Sequence, residues 1–480
     1  MAGRDAGLPI VALVPRHATS WVKFINLAHA FLADGRFQPV MILATAEMAQ
    51  RAPECRTAGL AHVDLSEALQ TAVRSGGRWL QAAGALLDRL AERFDRLGNC
   101  LPLSLVRLQV MRGRLRAEYG VFLDYFARTR PVAVFVPGDR ELSPVPPVLK
   151  AAGDAGIPRL NAGFGSPGTA GLVRQRQPYV RFRVDWRAMP LLLGVLAARL
   201  WPRQVLLQPD STLLFSPGWL LFALNAEGMM SPNPWVQGGG WSDYLLQNSK
   251  ARVDEFLKLG VSSAKIHLTG DPALDLLHQA WERRTEIRLE LAAVLGSTAE
   301  SPIVVMSIPN DPEHGLGTFA EHRERMNSYF RCISNAGIKC LLSLHPKSKP
   351  AIYEDLARKW GHVILARPLA EYLPAADLFI CSASTTILWA QLVNVPTLNL
   401  NYLGLDDDPD YSDMPGITEI SNEDGLRAAL LTWWQGRLRS PAFMEHAEKL
   451  RRNSLFDGAA GQRLCDLVEA LTDKLLIDKN

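Results

Sequence analysis

Apolar residues recur along the chain in two alternating rhythms. Ile10–Val14 is a short β-branched run, Arg16–Ser20 a polar turn, and Trp21–Ala33 carries its apolar residues at helical spacing. The pattern predicts further strands at Pro39–Leu43, Val132–Val136 and Ile157–Leu160, with a Leu-, Ala- and Arg-rich helical stretch from about 66 to 128. Tyr244–Gln247, a helix over Ser249–Leu259, the strand Ile266–Thr269 and a helix from Ala273 to about Leu295 follow. After Gly296–Pro302, which reads as a linker, the alternation restarts with strands at Ile303–Ile308, Ile338–Leu344, Val363–Leu365, Asp377–Cys381 and Thr397–Leu400. Met444–Leu476 reads as helix, broken near Asp457-Gly458.

Strands alternating with helices imply parallel βαβ units, because parallel neighbours need a crossover. The expected fold class is therefore α/β, with two Rossmann-like domains facing a central cleft. The expected boundaries are 1–295 for an acceptor-side domain and 296–445 for a donor-binding domain. Helices over 446–480 are expected to pack back on the first domain. The first domain carries a helical insertion (about 66–128) and an irregular excursion (about 163–240) rich in Pro, Gly, Trp and Arg.

Composition changes this picture little. The 480 residues are 48% hydrophobic and 21% charged, which excludes disorder, collagen-like repeats and coiled coil. A formal charge of +3 gives no reason to expect nucleic acid. The six cysteines lie far apart with no CxxC pair, which fits reduced, buried thiols in a cytosolic protein better than disulfides or a zinc site. No signal peptide is read at the amino terminus, and no apolar run reaches the ~18–20 residues of a transmembrane helix. The net charge conceals Arg174, Arg176, Arg181, Arg183 and Arg187, which are interleaved with Tyr179, Phe182 and Trp186 and followed by the apolar Met189–Leu200. Such a stretch suits peripheral contact with an anionic membrane or a lipid-linked acceptor. A purely structural excursion with solvated arginines is the plainer reading, and nucleic acid the weakest.

In parallel sheets ligands bind beyond the carboxyl ends of the strands, so candidate chemistry is sought there. Asp377-Leu-Phe-Ile-Cys381-Ser382-Ala-Ser384-Thr385-Thr386 delivers a run of hydroxyls into the turn that opens a helix. Such a turn can bind phosphate, although Ser and Thr are also ordinary helix caps. Leu344-His345-Pro346-Lys347 follows another strand and offers an imidazole and an ammonium to a diphosphate. His17 and Asp139, each just after a first-domain strand, are the candidate general bases, with Glu313 and His314 in reserve. Either of the first two is equally readable as a loop or capping residue. Asp406–Asp410, the only acidic cluster, reads as a solvated loop, and no metal site or cofactor is expected.

Ile266-His-Leu-Thr-Gly270-Asp271-Pro-Ala-Leu-Asp275, the His-Pro step, the Ser/Thr turn and Asp457-Gly458-Ala459-Ala460 come in an order that resembles two-domain GT-B proteins. The nearest likenesses are UDP-N-acetylglucosamine 2-epimerases and the glycosyl- or glycerophosphotransferases of bacterial surface-polysaccharide synthesis. Pro137-Gly138-Asp139 and Gly163 look like epimerase segments, but several of that family's acid/base positions differ. Asn161-Ala162 stands where the family has an acidic residue, Ser231–Gly240 lacks its carboxylate pair, and Pro309-Asn310-Asp311 replaces its His-Arg. Cys381-Ser-Ala-Ser and Trp389-Ala390 replace its Asp-Ser-Gly-Gly and Glu pair. The resemblance thus implies a metal-independent transferase that takes a nucleotide-activated sugar donor and a glycan or lipid-linked acceptor. A 2-epimerase and a non-catalytic nucleotide-sugar-binding scaffold are the alternatives.

Overall fold

Two all-parallel sheets organise the chain. In the computed structural model the described residues are 7–75, 89, 100–140, 144–164, 169–184, 192–309, 311–312, 316–345, 348, 350–382, 384–404, 411, 414–434 and 440–477. They form two units, 1–269 with 462–480 and 270–461.

The first unit holds strands β1 (Ile10–Leu13), β2 (Gln38–Leu43), β3 (Ala61–Asp64), β4 (Ala133–Val136), β5 (Arg159–Asn161), β8 (Tyr244–Gln247) and β9 (Ile266–Leu268), in the order β3-β2-β1-β4-β5-β8-β9. A separate antiparallel hairpin, β6 (Val205–Gln208) with β7 (Ser211–Leu214), lies in the excursion that sequence reading left irregular. β3 was also missed, because Ala61-His-Val-Asp64 is half-buried at the sheet's edge and lacks a β-branched run. Leu101–Thr129 forms one long helix, while residues 76–88 and 90–99 of the expected helical insertion lie outside the described residues.

The second unit contains β10 (Val304–Ser307), β11 (Cys340–Ser343), β12 (Val363–Leu365), β13 (Leu378–Cys381), β14 (Thr397–Leu400) and β15 (Ile417–Ile420). Their order, β12-β11-β10-β13-β14-β15, reverses direction between β10 and β13, which is the Rossmann switch point. Each of these central strands is buried on both faces, which explains why they read as continuous apolar runs.

The helices Pro272–Glu282 and Arg284–Leu295 belong to this second unit and not to the first. Leu274, Leu277, Ile287, Leu291 and Leu295 pack with Val305, Leu341 and Phe379 of its sheet. Gly296, read as the start of a linker, is instead the left-handed C-cap of the second helix at φ 64°. Conversely, the helix Ala460–Ile477 sends Leu464, Cys465, Val468 and Leu471 into the core formed by β1, β2, β4 and the helix Ala18–Asp34. The preceding helix, Pro441–Asn453, stays with the second unit.

The segments where the chain leaves and re-enters each unit are tied by side chains bonded to backbone groups. Within the first, Arg463 Nε donates to the Thr269 carbonyl at 2.8 Å. Within the second, the Asp275 carboxylate accepts from Ala460 N at 3.0 Å and Gly461 N at 2.7 Å, the otherwise unsatisfied donors at a helix start. The Gly270–Asp275 and Asp457–Ala460 motifs therefore meet here. Asp275→Ala is expected to cost about 1–2 kcal/mol, the loss of a strong helix cap. Urea unfolding monitored by far-UV circular dichroism would register this as a lower midpoint.

Candidate functional site

The carboxyl edge of the second sheet gathers the donor-type residues. β11 and β13 flank β10, so His345, just beyond β11, and Ser382 to Thr386, just beyond β13, lie on either side of the β10 end at one rim. Ser382, Ser384 and Thr386 are half-buried, and Thr385 is exposed. Ser384 Oγ and Thr386 Oγ1 share a hydrogen bond of 2.7 Å, and Ser384 Oγ also accepts from Thr386 N at 3.3 Å. The helix that follows, Ile387–Leu392, has only six residues, so its dipole is short and the hydroxyls are the main donors. His345 is half-buried, and its carbonyl accepts from Ser348 N at 2.8 Å. Lys347, Glu313, His314 and Asp406–Asp410 lie outside the described residues.

Beneath this rim is a buried polar network that local reading missed. Asp311, shortly after β10, accepts from Arg325 at 2.9 Å and pairs with His322 Nδ1 at 3.2 Å. His322 Nε2 lies 3.0 Å from the Tyr353 hydroxyl, and the His322 ring is fully buried. The helix bearing His322 and Arg325, Phe319–Asn335, starts in a reciprocal Thr318–Glu321 capping box. Burial alone would raise the Asp311 pKa, but hydrogen bonds and charge from His322 and Arg325 hold it below the usual carboxylate value. The network anchors the start of the post-β10 loop to the helix that covers the sheet.

The two candidate bases of the first unit are occupied structurally. His17 is the N-cap of the helix Ala18–Asp34: Nδ1 accepts from Ser20 N at 3.3 Å, while Ser20 Oγ accepts from His17 N at 3.0 Å. This cap engages Nδ1 as an acceptor. Asp139 is buried; its carboxylate accepts from Gly238 N at 2.9 Å, Gly240 N at 3.0 Å and Ser242 Oγ at 2.5 Å. Lys265 reaches within 3.8 Å of it while donating to the Gly238 and Gly240 carbonyls, and burial lowers that lysine's pKa. A Cβ on Gly240 would stand 2.1 Å from the Asp139 carbonyl oxygen, so only glycine admits this close approach. Asp139 therefore pins a loop a hundred residues away.

The arginine-rich stretch is likewise partly internal. Arg176 donates to the carbonyls of Phe215 at 2.7 Å and Leu172 at 3.3 Å, and its guanidinium lies 4.3 Å from the Phe215 ring centre. Burial brings its pKa down to about 10. Arg183 donates twice to the Gln177 carbonyl, and Arg181 lies over Tyr179 at 4.6 Å. Arg187 and Trp186 lie outside the described residues. None of the six cysteines forms a disulfide and five of them are buried, with burial pushing Cys55 up to about 11 and Cys465 up to about 12.

A cavity of about 350 Å³ in the second unit lies at the opposite, amino-terminal sheet edge, lined among others by Trp281, Arg288, Asp377 and Asn394. Arg288 there is consumed by Asp377 and by the carbonyls of Ala299, Ala375 and Ser301. Among the described residues no group of three potential metal ligands occurs, and no helix is long and apolar enough to cross a membrane.

No family model and no curated protein sequence matches the chain. Solved structures do. A Listeria monocytogenes protein assigned as a UDP-N-acetylglucosamine 2-epimerase is similar at 13% identity and TM-score 0.53, over 98% of both chains. The Methanocaldococcus jannaschii UDP-GlcNAc 2-epimerase, solved with UDP-GlcNAc and UDP, gives 11% identity and TM-score 0.50 over 96% of this chain and 99% of that one. The spinosyn forosaminyltransferase SpnP gives 14% and 0.50 over 98% of this chain and all of its own. These likenesses establish a GT-B fold.

Two substitutions test the residue assignments. Asp139→Ala should destabilise by about 3–5 kcal/mol, because the buried donors and Lys265 lose their carboxylate, with turnover falling only as folding does. Loss of turnover by Asp139→Asn at an unchanged thermal midpoint would restore it as a base. For Asp311 the folded pKa lies below the unfolded one of about 3.9, so its stabilisation is complete above that value and disappears as pH falls through the folded pKa. Asp311→Asn should therefore cost about 3 kcal/mol at neutral pH. It should also flatten the acid limb of a stability–pH curve below about pH 4.

Proposed function

We propose that the chain is a nucleotide-sugar-dependent transferase that moves a glycosyl or related group to a glycan or lipid-linked acceptor in surface-polysaccharide synthesis. The observation that carries this reading is the Ser/Thr turn at the switch point of the second sheet, with His345 across the β10 end. The donor's diphosphate would sit over this rim. His345, Lys347, Ser382, Ser384, Thr385 and Thr386 would bind it by hydrogen bonds and charge, without a metal.

In this chemistry an acceptor hydroxyl attacks the donor's anomeric carbon and loses its proton to a base. The bond from that carbon to the diphosphate oxygen breaks, and the departing nucleoside diphosphate carries the negative charge that the rim's donors neutralise. His17, with Nδ1 engaged in the helix cap, is the first-unit group proposed to position the acceptor hydroxyl. Six cysteines outside any disulfide suit a reducing, cytosolic compartment, where nucleotide sugars would be met directly.

Fold likeness extends to epimerases and to a transferase alike, so the choice between them rests on residues. Epimerisation by elimination needs acid and base groups around the sugar, and the sequence differs from the epimerase pattern at Asn161, Pro309-Asn310-Asp311 and Trp389-Ala390. Group transfer needs fewer such groups. Conversion of UDP-N-acetylglucosamine to its 2-epimer would decide for the epimerase, and nucleotide binding without turnover of any donor for the scaffold.

Calorimetric titration with a panel of nucleoside diphosphates tests the donor site. His345→Ala should weaken binding about tenfold and Ser384→Ala about threefold, as expected for losing a charge-assisted and a neutral hydrogen bond. Wild-type affinity in both variants would remove the rim from the donor site.

A further inference from the structure

The helix Leu192–Leu200 reads LLGVLAARL, apolar on every face except at Arg199. A helix of that kind in a water-soluble fold is normally enclosed by protein. Here only Ala197 is fully buried, while Leu196 is 38% exposed and Leu200 59% exposed. Leu196, Arg199 and Leu200 lie on one side of the helix by their spacing, Arg203 follows in the short turn Pro202–Gln204, and all four are exposed. The hairpin strand Val205–Gln208 follows directly after the Pro202–Gln204 turn and packs against the same helix. Val205 packs in one cluster with Val195, Ala198 and Trp201, and Leu207, on the same hairpin face, is 77% exposed.

The charge at this face selects its occupant. From residue 169 to 214 the sequence contains seven arginines and two aspartates, Asp185 and Asp210. Neither Arg199 nor Arg203 has an acidic partner among the described residues, whereas Arg112 and Arg116 on the long helix Leu101–Thr129 both pair with Glu227. A second copy of this chain would bring the same arginines against these ones, which opposes an isologous contact. An anionic bilayer accepts both features: leucines enter the acyl boundary while arginine stems lie along it with their guanidinium groups at lipid phosphates. Nine residues of helix span only ~14 Å, too short to cross a ~30 Å hydrocarbon core, so the helix would lie in the interface.

We propose that Leu196, Leu200 and Leu207, with Arg199 and Arg203, form a docking surface for anionic lipid bilayers. This moves membrane contact away from Arg174–Arg187, where Arg176 is spent on internal carbonyls and aromatic rings. The assignment rests on this surface alone, independent of any transferase activity.

Sedimentation of the full chain with vesicles tests it, using phosphatidylcholine alone or with about a third phosphatidylglycerol. The wild type should bind the mixed vesicles and lose affinity as salt rises. Leu200→Gln/Leu207→Gln should bind about tenfold more weakly, and Leu207→Gln alone by a smaller factor in the same direction. Arg199→Gln/Arg203→Gln should lose about tenfold on mixed vesicles and nothing on neutral ones. Equal thermal midpoints would show that the folds are intact. The proposal is overturned if the wild type stays unbound with mixed vesicles at low salt, or if the leucine variants bind as it does. A lipid-free dimer that Leu207→Gln converts to monomer would equally overturn it, assigning the face to a second copy.

Discussion

The carboxylate of Asp275, accepting from the backbone N–H groups of Ala460 and Gly461, is the interaction on which the chain's organisation turns. A chain that leaves one folding unit and returns to it must bring its exit and entry points together. Two N–H groups at a helix start have no intrahelical acceptor, and a carboxylate satisfies both while opposing the positive end of the helix dipole. The Arg463–Thr269 bond does the corresponding work on the other unit. With both ends held, residues 270–461 build a complete six-stranded sheet as an insertion in a seven-stranded one.

That arrangement brings the candidate donor residues to one sheet edge. The insertion's sheet reverses its strand order between β10 and β13, and the hydroxyl-rich turn emerges at this point. The rim above is polar and partly solvated, whereas the Asp311–His322–Arg325 network below is buried and closely bonded. The exposed groups can exchange partners with a ligand. The buried ones hold the loop start and the covering helix in place.

The central strands were legible because burial on both faces leaves continuous apolar runs such as Asp377–Cys381. The rim residues were singled out because parallel sheets bind ligands directly after their strands, and the structure places them at one such edge. What the sequence did not show shares a physical cause: a local signal with a distant partner. Asp139 follows a strand as a catalytic carboxylate would, yet its ligands are Gly238, Gly240 and Ser242. Arg176 belongs to a basic cluster in sequence, but it is half-buried, bonded to the carbonyls of Leu172 and Phe215 and set against aromatic rings. Gly296 resembles a linker because a helix C-cap and a flexible joint both select glycine. The chain actually passes between units at Gly270, which also has positive φ, at 84°.

The position of the last helix has a consequence for biosynthesis. Leu464, Cys465, Val468 and Leu471 fill a core whose other members lie between residues 11 and 246. A ribosome releases those other members long before the four that complete the core. The inserted unit, continuous from 270 to 461, is whole by then and can fold as a block. The unit whose strands are made before residue 270 is thus completed only after the inserted unit, once the residues that fill its core have emerged.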